Sequence, residues 1–173
     1  MIQTKPGNAT DVIFGGGYLA FNAVGKPDNE WDCIRKDGLN LIQQWKNQHI
    51  SSNTSHNFVS NLQELKQVVE SSDKKPEKIL GIFGNGHLPY EYEKPNTQPT
   101  LSEMTQAAIE LLHANVKDEK GFFLMVEGMY KMVFFIPGVD QLDISIGEKH
   151  FLFYKVQIIL LLSSPMLASS VIK

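Results

Sequence analysis

A chain of 173 residues with 42% hydrophobic and 20% charged side chains has the size and composition of one globular domain, which excludes collagenous and disordered classes. The formal charge is −3, with 12 Lys+Arg against 16 Asp+Glu in residues 1–128 and 4 against 3 in residues 129–173. Neither part has the basic excess that a nucleic-acid partner requires. Cys33 is the sole cysteine, so an internal disulfide and a thiolate-built metal cluster are both ruled out.

Met1 to Asn8 is polar and lacks the apolar segment of a signal peptide. Two glycosylation sequons, Asn8-Ala-Thr10 and Asn53-Thr-Ser55, point towards an exported parent protein. Asp11-Val-Ile-Phe14 followed by Gly15-Gly16-Gly17 predicts a short buried strand entering a turn. A glycine run after a strand can also cradle phosphate. This one lacks the spacing of either G-x-G-x-x-G or a P-loop, so the turn is favoured.

Residues 22–38 carry Pro27 and Asp37-Gly38 and read as a loop. From Leu39 to about Gln48, the spacing of Leu41, Ile42 and Trp45 predicts an amphipathic helix, which the polar residues 49–57 end. Ser60 with Gln63 has the form of a capping box before a helix that turns Leu62, Leu65, Val68 and Val69 inward. A charged turn from Ser71 to Glu77 leads into a second strand, Lys78 to Phe83. The loop from Gly84 to Pro99 follows. Thr100 and Glu103 then make a second capping box, and Leu101, Met104, Ala108, Leu111 and Leu112 form the stripe of a helix ending near Asn115. Gly121 to Glu127 is a third strand. Strands apolar on both faces, alternating with helices, predict part of a parallel sheet in an α/β fold.

The character changes after Gly128. Residues 129–173 end in an uncharged run, Val156 to Ile172, at the short limit for a membrane span and interrupted by Gln157, four serines and Pro165. The expected organisation is an α/β part over 1–128 and an unrelated hydrophobic tail over 129–173. Gly128-Met129-Tyr130 can be encoded as GGT-ATG-TAY, whose GT-ATGT string is typical of an intron's start, so the tail is expected to be translated intron.

Few residues carry a chemical signal. His49, His56, His87, His113 and His150 are scattered without metal-site spacing and read as surface or loop residues. Trp31 and Trp45 read as packing residues. Cys33 is either half of a lost pair or a small buried side chain. Glu127 ends an apolar strand, where α/β sheets place ligands. It is there either as a metal-facing carboxylate or as a residue solvated where the strand leaves the core.

Gly121-Phe-Phe-Leu-Met-Val-Glu-Gly128 resembles the alkaline phosphatase segment G-F-F-L-x-V-E-G-G-R-I-D-H-x-H-H. Asp11-Val-Ile-Phe-Gly-Gly-Gly17 resembles that family's D-V-I-x-G-G-G, and Lys36-Asp-Gly-Leu-Asn-Leu-Ile-Gln-Gln-Trp45 its x-D-G-x-N-L-x-x-x-W. Ile79 to Phe83 and Leu101 to Glu110 resemble its next strand and helix. Five motifs in one order cover about residues 9–128. The resemblance implies a phosphomonoesterase using two zinc ions, one magnesium ion and a phosphoserine intermediate, with Glu127 as a magnesium ligand. It also implies phosphate monoester substrates, a homodimer that this piece is not expected to preserve, and an extracellular or lipid-anchored cell-surface location.

Departures bear on activity. Where the family continues with Gly-Arg-Ile-Asp-His, this chain reads Met129-Tyr-Lys-Met-Val133, without the zinc-binding aspartate and histidine. The serine nucleophile and phosphate-binding arginine have no counterpart, so no catalytic residue is assigned. At the family's peripheral calcium site, Phe83 offers a carbonyl and Glu30 a carboxylate, while Gly84 and Gln98 stand where acidic ligands are expected. The chain is thus expected to be inactive alone. A non-catalytic isoform or membrane-associated interaction module is the alternative.

Overall fold

The computed structural model describes residues 4–5, 7–25, 33–71, 74–116 and 121–128, and the backbone of three further strands at 131–135, 142–144 and 159–162. The order is β1 (Val12–Gly15), α1 (Tyr18–Phe21), α2 (Leu41–Ser51), β2 (His56–Val59), α3 (Leu62–Glu70), β3 (Lys78–Ile82), α4 (Leu101–Asn115) and β4 (Phe123–Gly128). Strands β5 (Lys131–Phe135), β6 (Leu142–Ile144) and β7 (Ile159–Leu162) follow. The sheet order is β2-β3-β1-β7-β4-β5-β6.

The first three strands are parallel, with Val12 opposite Ile79 and Phe58 opposite Leu80. The expected α/β architecture is therefore present: a parallel sheet flanked by helices. Alternation along β3 sorts the two faces. Ile79 packs with Val12, Phe14, Leu65, Met104, Leu111 and Leu124 in the core beneath α3 and α4. Leu80 and Ile82 pack with Ile42 and Trp45 of α2 on the opposite face. A strand clothed by helices on both sides has no solvated face, which is why its sequence is apolar throughout. Gly81 is small for a packing reason: a Cβ there would press on the rings of Phe14 and Phe83, whose centroids lie 5.8 Å apart.

Strand β4 runs in the same direction as β1 but does not pair with it. Between them lies β7, antiparallel to both, with Leu160 opposite Ile13 on one side and Met125 on the other. Strand β5 pairs antiparallel with β4, and β6 with β5. Thus three segments from residues 129–173 have backbone places in the sheet.

Helix α1 was not expected, α2 runs on past Gln48 to Ser51, and two further features differ from expectation. Residues 49–57, read as a helix breaker, run into β2, a four-residue strand too short and polar to announce itself. The α3 cap lies one residue on from the expected pair: Asn61 Oδ1 accepts from the Glu64 N–H at 2.9 Å, and Glu64 Oε2 accepts from the Ser60 N–H at 2.7 Å. The backbone bond from Ser60 leads in holding the Glu64 carboxyl below its usual range. Gln63 faces solvent instead.

The second capping box is where it was expected. Thr100 Oγ1 accepts from the Glu103 N–H, and Glu103 Oε2 from the Thr100 N–H, each at 2.9 Å. Helix α4 supplies Met104, Ala107, Ala108, Leu111 and Leu112 to the core, so its first turn matters to the whole face. Thr100→Ala should cost about 1 kcal/mol in urea unfolding. Thr100→Asn, which keeps an acceptor, should recover most of it.

Candidate functional site

Strands β1 and β3 end at the same edge of the sheet, and β4, running with β1, points Glu127 and Gly128 towards it. The turn after β1 is locked to the loop after β3. The N–H groups of Gly17, Tyr18 and Leu19 donate to the carbonyls of Gly86, Gly84 and Asn85 at 2.6, 2.9 and 3.0 Å. Gly17 has φ of 89°, and a Cβ on Gly16 would collide with the Gly86 carbonyl oxygen. Backbone donors already aimed at carbonyls do not present an anion cradle, so the glycine run is a joint between loops.

Glu127 is half-buried near the end of β4, its backbone opposite Met132 of β5. Burial pushes its carboxyl above the usual range, because the charged form has lost water. A carboxyl whose folded pKa is raised favours folding below the unfolded value and loses that contribution as pH rises through the folded one. A cation beside it would reverse the shift. Among the described residues, no three His, Cys, Asp or Glu side chains converge as a metal-holding group.

The alkaline phosphatase family model matches residues 1–130. This chain belongs to the alkaline phosphatase family. Across 130 residues it is 42% identical to the membrane-bound alkaline phosphatase of Bombyx mori, covering 74% of this chain and 22% of that protein. It is 38% identical over 125 residues to the human tissue-nonspecific isozyme, covering 68% of this chain and 22% of that one. Alkaline phosphatase 4 of Drosophila melanogaster is 29% identical over 137 residues, with 74% and 22% covered. The chain thus spans about a fifth of the length of these curated relatives.

Of the positions that the alkaline phosphatase resemblance gives to calcium, Phe83, Gly84 and Gln98 are among the described residues. The Phe83 side chain is buried and its N–H donates to the Gly15 carbonyl at 2.8 Å, leaving its own carbonyl as the candidate donor. Gly84 has no side chain to offer. Gln98 is buried, and Lys94 Nζ donates to its backbone oxygen at 3.2 Å while lying 3.8 Å from Glu91. Calcium takes six to eight oxygens, usually with several carboxylates. Among the described residues these positions supply neutral oxygens, and Glu30 is the carboxylate that the resemblance adds to them. Glu30 and Trp31 lie outside the described residues, as does His150.

One histidine reading is corrected. His49 is 4% exposed, on the inner face of α2, with its ring edge-on to Trp45 at 4.7 Å and 5.6 Å from His56. It falls four residues after Trp45 and so shares that residue's buried face, a spacing the sequence already contained. His56 is half-buried and its Nδ1 donates to the Thr54 carbonyl at 2.9 Å. Burial first, then the neighbouring His56 and Lys78, lowers the His49 pKa. Lys78 is itself paired with Asp11 at 2.7 Å.

A histidine with a depressed folded pKa is protonated more readily in the unfolded chain, so acid favours unfolding. The urea midpoint should fall as pH drops from the ordinary value of 6.5 towards the lower folded one. His49→Phe, which keeps an aromatic ring, should flatten that fall; an unchanged slope would reject His49 as its source. His87 is half-buried in its loop and His113 exposed on α4, in keeping with the surface or loop reading. Cys33 is an exposed thiol.

The sequons differ in setting. Asn53 is exposed, at a turn where φ is 52°. Asn8 is half-buried in a short 3-10 helix over Gly7–Ala9, and Thr10 is only 3% exposed. Among the described residues, no helix is long and apolar enough to cross a membrane. Residues 159–162 of the uncharged run form β7, and the rest of that run lies outside the described residues.

Proposed function

We propose that residues 1–128 are a scaffold segment of a phosphate monoester hydrolase, and that Glu127 contributes one oxygen ligand to its magnesium ion. The observation that supports this most is a half-buried carboxylate at a strand end, within a stretch matching the alkaline phosphatase family model from residue 1 to residue 130. A hard divalent cation takes oxygen ligands in octahedral geometry, and one carboxylate is a customary protein contribution. When bound, the zinc and magnesium ions of the parent enzyme would polarise the phosphoryl group and favour an attacking alkoxide. The role of this chain is narrower. Its strands fix where Glu127 stands, and its loop joint holds the neighbouring edge.

The remaining ligands and the nucleophile belong to the parent enzyme, so we read the chain as inactive by itself. In this reading the parent works at the cell surface, Asn53 is the glycan acceptor, and the occluded Asn8 sequon is unused. The tail over 129–173 is a separate addition encoded by intron sequence. Genomic sequence beyond Gly128 encoding Gly-Arg-Ile-Asp-His would support that origin, and its absence nearby would reject it. A second reading, a non-catalytic isoform, draws support from the pairing of β5 and β7 with β4, which gives the tail a place in the sheet.

A chimera tests the scaffold reading. With residues 1–128 exchanged for the matching segment of the Bombyx mori enzyme, hydrolysis of p-nitrophenyl phosphate should persist. Glu127→Ala in that chimera should lower kcat/KM by at least about tenfold, with partial recovery in excess magnesium. A soluble but inactive chimera would reject scaffold equivalence. An active one indifferent to Glu127→Ala would reject the ligand role.

A further inference from the structure

The loop after β3 makes a tight projection between Pro89 and Pro95. The N–H groups of Glu93 and Lys94 both donate to the Tyr90 carbonyl, at 2.9 and 3.0 Å, and the turn they close carries Tyr92 outward. Tyr92 is 82% exposed, the highest value among the exposed large hydrophobic side chains described. Its ring stacks on Tyr90 with centroids 5.6 Å apart and planes 11° from parallel. Glu91 and Glu93 flank it. The nearest lysine in sequence, Lys94, is turned inward to the Gln98 carbonyl and lies 3.8 Å from Glu91, with 13% of its side chain exposed, so the tip sets two carboxylates against one largely covered ammonium.

We propose that Tyr92 is an acceptor of sulfonyl groups, modified by a tyrosyl-protein sulfotransferase of the secretory pathway. The inference rests on the exported location read above. An enzyme that carries an anionic sulfonyl donor needs a cationic cleft, and carboxylates on both sides of the acceptor steer the turn into such a cleft. The outward ring can enter without unfolding the core, and the Tyr90 stack limits its motion. In the transfer, Tyr92 Oη attacks the sulfur of a phosphoadenylyl sulfate. The Oη–S bond forms and the S–O bond to the nucleotide phosphate breaks. The nucleotide bisphosphate departs, and the phenolic proton passes to a base of the transferase. The Glu93 carboxylate holds the phenol above its ordinary pKa, so that base comes from the transferase.

The test uses the full 173-residue chain, purified sulfotransferase and labelled phosphoadenylyl sulfate, with the modified residue assigned by mass spectrometry. Label on Tyr92 should exceed that on the other four tyrosines combined by on the order of tenfold. It should vanish in Tyr92→Phe and persist in Tyr90→Phe. No transfer while a control acidic peptide is labelled, equal labelling of all tyrosines, or labelling of Tyr90 instead would overturn the proposal. In secreting cells, the Asn53 glycan reports export independently. Glycosylated chain without sulfate at Tyr92, or with phosphate there, would overturn it as well. A chain that accepts sulfate in vitro but is never glycosylated in cells would support the acceptor and reject the location.

Discussion

Supplied with zinc and magnesium, the isolated chain is expected to hydrolyse p-nitrophenyl phosphate no faster than the buffer blank. Phosphate monoester hydrolysis is among the slowest uncatalysed reactions, and enzymes accelerate it by up to about 10²¹-fold. An effect of that size needs clamped metals, an activated nucleophile and charge complementarity at the transferring group together. Glu127 offers one carboxylate, whose charge is disfavoured by its own burial. The residues after Gly128 read Met129-Tyr-Lys-Met-Val133, which add no carboxylate or imidazole. Metal-dependent turnover above the blank, abolished by Glu127→Ala, would reject inactivity.

The second large effect concerns stability. Phe14→Ala should destabilise the chain by about 3–5 kcal/mol, the range for emptying a buried aromatic site. Phe14 is fully buried at the middle of β1, which pairs with β3 on one side and β7 on the other. Its ring meets Phe83 over the gap left by Gly81, so little nearby can collapse into the hole. Total stabilities of about 5–15 kcal/mol leave a domain little reserve against such a loss. The measurement is urea unfolding followed by tryptophan fluorescence, Trp45 being buried in the core. Tyr92→Ala, a change at an exposed ring, should shift stability by no more than about 0.5 kcal/mol. Equal losses at both positions would show that the Phe14 core does not govern folding.

Features carried by neighbouring residues were legible in the chain itself. Thr100 and Glu103 cap the same helix turn that their spacing announced, because a capping box closes within four residues. Lys78 to Ile82 is apolar on both faces for the reason a covered parallel strand must be. The five motifs in order identified the family, which the match over residues 1–130 establishes. Strand β2 was not legible. Only Phe58 and Val59 are apolar there, and the strand exists because its backbone finds β3. His49 was readable in principle from its spacing to Trp45, but burial of a histidine is settled by what faces it.

The amino-acid sequence by itself determined family, α/β class, the Thr100–Glu103 cap of α4 and the place of Glu127 near a strand end, since all of these reside in local pattern or ordered motifs. Tertiary structure alone decided that the glycine turn is occupied by the carbonyls of residues 84–86, that Lys94 points inward while Tyr92 points out, and that Glu127 is half-buried. Each depends on which groups from distant parts of the chain come within a few ångströms. Desolvation and hydrogen-bond geometry are properties of that arrangement, and no single segment contains them.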